Sequence, residues 1–194
     1  MSGRPTAPVA ALVALVAAAG CGATAYEAAH ERWTRHAAAR RDVDTVIDAW
    51  ATLKADDWRA AYVGEKARRA RLGDARRGAL EAEQRAAAAD AYEVELIVTT
   101  YHYSWNDFAR PTRSMWRVTL VGDGGRQVEP TRIEEDHRPR GEIRSWFPQL
   151  GPFHRAFVIR FPKTAADGAP LAADERALRL RIGGSLGSIE VAWR

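Results

Sequence analysis

From Tyr92 onward the hydrophobic and polar positions alternate with a period of two, the pattern of strands that bury one face. Val94, Leu96 and Val98 alternate with Glu93 and Glu95, and Trp116, Val118 and Leu120 alternate with Arg117 and Thr119. Phe157, Ile159 and Phe161 share a face, as do Leu178, Leu180 and Ile182, and then Ile189, Val191 and Trp193. Gly122-Asp123-Gly124-Gly125 predicts a hairpin turn, because Asp-Gly tolerates the positive φ that such turns need, and Gly183 to Gly187 predicts a second. Pro130 and Pro162 belong at strand ends or edges, where the missing N–H interrupts no ladder.

Upstream the pattern changes. Asp56 starts a helix whose Trp58, Ala61 and Tyr62 share a face; Gly73 interrupts it, and Ala75 to Asp90 forms a second helix of strong helix formers. In that helix Arg76, Arg77, Glu81, Glu83 and Arg85 make a solvated, salt-bridged face. Between Arg32 and Lys54 the β-branched cluster of Asp42 to Lys54, with Ile47, Ala49, Ala51 and Leu53 in partial alternation, predicts a strand. The expected fold class is α+β: a two-helix segment followed by a small antiparallel β-sandwich, of which the immunoglobulin-like arrangement is one form. The expected units are 1–20 as an export signal, 21–31 as a tether, 32–91 as strand plus two helices, and 92–194 as the sandwich.

The first residues carry the strongest signal. Arg4 and the amino terminus give a short positive region, and Val9 to Ala19 is an unbroken apolar run of signal-peptide length. It is shorter than the roughly 20 residues a membrane-spanning helix needs. Ala18-Ala19-Gly20 then leads into Cys21, the only cysteine in the chain. Small residues before a cysteine at the end of an apolar run resemble the lipobox of bacterial lipoproteins. That resemblance implies an acylated Cys21, a cleaved residue 1–20 leader, and attachment to the membrane through acyl chains. Gly22 after the cysteine, where aspartate would signal retention, resembles the sorting pattern for the outer membrane. A lone cysteine also excludes a disulfide framework and any CxxC metal or redox site.

Composition adds limits. Hydrophobic residues make up 46% of the chain and seven are tryptophan, enough for a core and too many for global disorder. The formal charge of +4 falls to +3 when residues 1–20 and their Arg4 are removed, with basic and acidic side chains interspersed. Such a balance on an exported chain argues against nucleic acid as a partner.

The mature chain is similar to a group of uncharacterised proteobacterial lipoproteins. The likeness rests on Ala51-Thr52-Leu53, Trp58-Arg59-Ala60-Ala61-Tyr62, Ser114-Met115-Trp116-Arg117-Val118-Thr119-Leu120, Val128-Glu129-Pro130, Ile133-Glu134, Phe161-Pro162 and the Leu178 to Ile182 pattern. It implies a place in the cell envelope and no particular chemistry.

Motifs for catalysis are weak. Gly183-Gly184-Ser185-Leu186-Gly187 matches a nucleophile elbow, but no helix or histidine follows it, so a hairpin explains it better. His30, His36, His102, His137 and His154 show no metal-ligand spacing; His102, Asp107, Glu135, His137 and His154 would have to converge in space to bind one. No catalytic residue, metal or cofactor is expected. Glu134-Glu135-Asp136 reads as a solvated turn. The stretch from Tyr101 to Phe108 is the densest in aromatics, and Ile143 to Pro148 is a second such loop. Exposed rings beside Asn106 and Asp107 would stack on a polysaccharide or dock an envelope protein, which makes Tyr103, Trp105, Phe108 and Trp146 the candidate contacts. A non-enzymatic binding or structural module of the envelope is the leading expectation, and a hydrolase of envelope polymers the alternative. A buried polar cluster in a concave pocket favours the second, an exposed aromatic patch without one the first.

Overall fold

The computed structural model describes residues 23–110 and 112–193; the apolar run and Cys21, with the leader and acylation expected there, lie outside the described residues. The described chain is α+β. Its strands are β1 (Thr34–Arg41), β2 (Asp44–Leu53), β3 (Ala91–Thr100), β4 (Trp116–Val121), β5 (Gln127–Val128), β6 (Arg132–Glu135), β7 (Arg155–Pro162), β8 (Arg179–Gly184) and β9 (Gly187–Ala192). One antiparallel sheet has the order β1-β2-β3-β7-β6 and the other β5-β4-β8-β9. The helices are α1 (Ala25–Trp33), α2 (Asp56–Ala70), α3 (Asp74–Asp90) and α4 (Arg140–Trp146).

Both hairpins form where the glycines sit. β4 turns into β5 through Gly124 and Gly125, at φ 64° and 78°, and Gly184 pairs with Gly187 across the β8–β9 turn. Gly122 answers a different need: a Cβ there would stand 1.9 Å from the Leu171 carbonyl oxygen that crosses it.

Three expectations need correction. The tether over 21–31 holds most of α1. Thr24 caps it, its hydroxyl accepting from the Glu27 N–H at 3.2 Å while the Glu27 carboxylate accepts from the Thr24 N–H at 2.7 Å. Tyr26, Ala29, His30 and Trp33 then fall on one buried face at helical spacing. The helices also do not all precede the strands, since β1 and β2 come before α2, and α4 lies between β6 and β7. No boundary falls at 91/92 either, because β2 pairs with β3 from Ile47↔Thr100 to Leu53↔Val94 within one sheet.

β3 is covered on both faces. Val94, Leu96 and Val98 lie beside Leu53, Ala51 and Ala49 of β2 and, for the first two, Ile159 and Phe157 of β7. The opposite face carries Glu93, Glu95 and Ile97, and α2 reaches it through Arg59. Side chains of both sheets enter one apolar cluster. Phe108 joins them, its ring parallel to Trp116 of β4 at 5.9 Å and 5.4 Å from Phe157 of β7. The last strand ends on Trp193, 1% exposed, whose indole N–H donates to the Trp33 carbonyl at 2.8 Å.

Candidate functional site

A cleft of about 840 Å³ opens between α2, the β6–β7 edge of the larger sheet and the loop after β3. Lys54, Trp58, Tyr62, Glu93, Asn106, Asp107, Arg110, the run from Glu134 to Arg138, Arg155 and Arg160 line it. Each side chain arrives there through ordinary strand and helix geometry. Glu93 and Glu95 are two apart on β3, so both project from one face. Lys54 directly follows β2 beside them, and the first turns of α2 bring Trp58 and Arg59 over the same face.

Lys54 Nζ lies 2.5 Å from Glu93 Oε1 and 3.0 Å from Glu95 Oε2. Arg59 and Arg160 approach the second Glu93 oxygen at 3.8 Å and 3.4 Å. Arg138 bonds Asp136 at 2.5 Å and stands 3.7 Å from Glu95 Oε1. Neither Glu95 oxygen accepts a hydrogen bond of good geometry, and the side chain is wholly buried.

One lysine cannot neutralise two carboxylates equally. Burial works to raise Glu93, but Lys54, Arg59 and Arg160 outweigh it and hold Glu93 below the usual carboxylate range. Glu95 goes the other way: burial and the nearby Asp136 charge raise it against the pull of Lys54 and Arg138. Asp136 is held low, burial notwithstanding, by the guanidinium and backbone N–H of Arg138. Lys54 itself is held above its ordinary value, because the two glutamates overcome its desolvation. Of the two, Glu95 is therefore the carboxyl held above its usual range.

Farther along the wall, Arg155 forks onto Glu135 and donates from Nη1 to the Asn106 carbonyl oxygen at 2.8 Å. Asn106 is fully buried, yet neither its amide nitrogen nor its amide oxygen has a partner. The Trp58 indole N–H is likewise without an acceptor.

The sequence-predicted contacts divide. Tyr103 is 63% exposed and Trp105 half-buried, both in the turn after β3. Phe108 and Trp146 are not surface contacts. Phe108 is 1% exposed in the shared core, and Trp146 packs on Tyr62 and Tyr26 at 4.7 Å and 5.2 Å under the Arg69 guanidinium. Ile143 to Trp146 belong to α4, so the second aromatic loop is mostly helix. Glu134-Glu135-Asp136 is no free turn either, since Glu135 and Asp136 are tied to Arg155 and Arg138. Ser185 sits on the β8–β9 turn, away from the cleft. Among the described residues no group of three or more His, Cys, Asp or Glu side chains is placed to hold a metal ion. The cleft itself was hidden in the sequence, because its parts come from positions 54, 93–95, 106, 135–138 and 155 and meet only through the sheet.

Comparison with known proteins adds little. No family model matches the chain, and no curated protein matches it. A solved structure of a protein of unknown function from Burkholderia pseudomallei is similar at 11% identity, with a TM-score of 0.39, over 86% of this chain and 80% of that one. Among the described residues no helix is long and apolar enough to cross a membrane.

Proposed function

We propose that this chain is a lipid-anchored protein of the cell envelope whose domain binds a polar, zwitterionic ligand in the cleft without chemical turnover. The anchor rests on Cys21 following the apolar run, with α1 beginning four residues later under its own cap. Metabolic labelling with a fatty acid is expected to tag the wild type and miss Cys21→Ser; equal labelling would remove the anchor from the proposal.

The binding reading rests on Asn106. A buried amide without partners costs on the order of 1–3 kcal/mol, which a ligand supplying a donor and an acceptor would return. Around it stand Arg110 and Arg160 for carboxylates and Asp107 for an ammonium group, a set suited to the charged and amide groups of cell-wall peptides. An N-acetylmuramyl tripeptide ending in diaminopimelate, which carries a free ammonium group and carboxylates beside its amides, is the probe of choice. Asn106→Leu is expected to weaken its binding at least about tenfold, by the loss of roughly 1.4 kcal/mol or more. The same substitution is expected to leave the melting temperature unchanged or raise it, because it removes an unsatisfied polar group. Calorimetric titration beside a melting curve reads both; no binding by the wild type, or equal binding by the variant, sinks this reading.

The two sheets are read here as facing layers of a small sandwich with the helices outside it. Phe108, held between Trp116 and Phe157, supports that arrangement. Hydrolysis of envelope polymers is the second reading, favoured by two glutamates held in opposite directions, Glu93 on the cleft wall and Glu95 behind it. Against it, a general acid must reach the reacting group, and Glu95, unlike Asn106, is not among the residues that line the cleft. Turnover abolished by Glu95→Gln with binding retained would select the enzyme.

A further inference from the structure

The large hydrophobic side chains exposed among the described residues are Val43 at 93%, Tyr101 at 53%, Tyr103 at 63% and Phe153 at 74%. All four fall at one end of the larger sheet. Val43 is in the turn between β1 and β2, and the Tyr101 N–H donates to the Val46 carbonyl just inside that turn. Thr100 closes β3 opposite Ile47, and Val98 pairs with Arg155, the first residue of β7, so Phe153 stands level with the end of β3. Trp105 extends the cluster, 6.2 Å from Tyr101.

The first described helix begins toward the same side. α1 runs with its last turn at the opposite end of the sheet, where Arg32 pairs with Asp57 at 2.8 Å, just after β2 ends. Its first turn packs on the end of α4, at the start of the segment that leads through Phe153 into β7, where Tyr26 donates to the Trp146 carbonyl at 2.6 Å. Cys21 lies four residues before Ala25, a reach of at most about 14 Å.

The geometry points to this end of the sheet as a membrane-docking face, seated on the bilayer whose lipid holds Cys21; the inference rests on the anchor reading above. Tyrosine and tryptophan favour the headgroup level, where one end of the ring is apolar and the other wet. Arg40 and Arg41 are offset by Asp42 and Asp44 around Val43, so the contact is apolar and changes little with salt. Acylation supplies the affinity, and the patch supplies orientation.

The test uses the full lipidated protein in vesicles of phosphatidylethanolamine and phosphatidylglycerol. Acylation of Cys21 leaves no free thiol, so Val43→Cys, Phe153→Cys and Asp90→Cys each create one labelling site for a polarity-sensitive fluorophore. Asp90 ends α3 at the opposite end of the sheet and is exposed. Probes at 43 and 153 are expected to shift to the blue and lose about half or more of their emission to a shallow spin-labelled lipid, while the probe at 90 loses none. Lipidated, vesicle-bound protein with no quenching at 43 and 153 overturns the docking face and leaves the anchor standing, as does equal quenching at all three sites. Protection that appears only when envelope proteins are added assigns the face to a protein partner and overturns it too. A second label per chain and failure to sediment with vesicles overturn the anchor itself, and the docking face with it.

Discussion

Lys54→Met is expected to cost about 3–5 kcal/mol of stability, because it leaves buried carboxylates without their nearest cation. Lys54 Nζ lies within 3.0 Å of both Glu93 and Glu95, and its side chain is 11% exposed. A loss of that size approaches the whole stability of a small domain. Urea unfolding at neutral pH measures it, and a cost under about 1 kcal/mol would mean that the arginines replace the lysine without penalty. Lys54→Met combined with Glu95→Gln should recover part of the loss, a coupling that a double-mutant cycle reads directly.

The pH dependence separates the two glutamates. The raised value of Glu95 means that the folded state binds its proton more tightly than the unfolded chain does. Its contribution is complete below the ordinary carboxyl range and is lost as pH rises through the raised value. Glu93 and Asp136 are lowered, so theirs is present above that range and is lost as pH falls through the lowered values. Glu95→Gln should therefore flatten the decline toward neutral pH and leave the acid limb in place. Glu93→Gln should remove part of the acid limb.

Trp193→Ala is expected to cost a further 3–5 kcal/mol or thereabouts, typical for a buried tryptophan. Trp193 fills the end of the apolar cluster and bonds Trp33, so its loss opens a cavity and leaves the Trp33 carbonyl without that donor. Deleting residues 188–194 removes Ile189 and Val191 as well and strips β8 of one of its two partners, leaving it a sheet edge. That truncation should abolish cooperative unfolding; an unchanged thermal midpoint would show that β9 is dispensable.

Strands and hairpins were legible where one face is apolar and turns are marked by glycine, as in β4, β8 and β9. Both faces of β3 are buried, and alternation could not report that, because what covers Glu93 and Glu95 is a helix that starts at position 56. α1 was legible in principle: Thr24 and Glu27 form a capping pair, and Tyr26, His30 and Trp33 keep helical spacing. Its small residues concealed it as a tether. α4 has seven residues, too few for a period to stand out from an aromatic loop. Of the expected contacts, Tyr103 and Trp105 lie at the surface or near it, whereas Phe108 and Trp146 are core. Aromatic density alone does not distinguish a plug from a contact.

The first helix depends on the last parts of the chain to be made. Tyr26 bonds Trp146 across 120 positions, and Trp33 bonds Trp193 across 160. Closing such loops is entropically slow, so chains of this topology fold late, in milliseconds to seconds. α1 cannot complete its docking until the final strand is available. A chain that crosses a membrane amino terminus first would thus remain open during passage and finish folding on the far side.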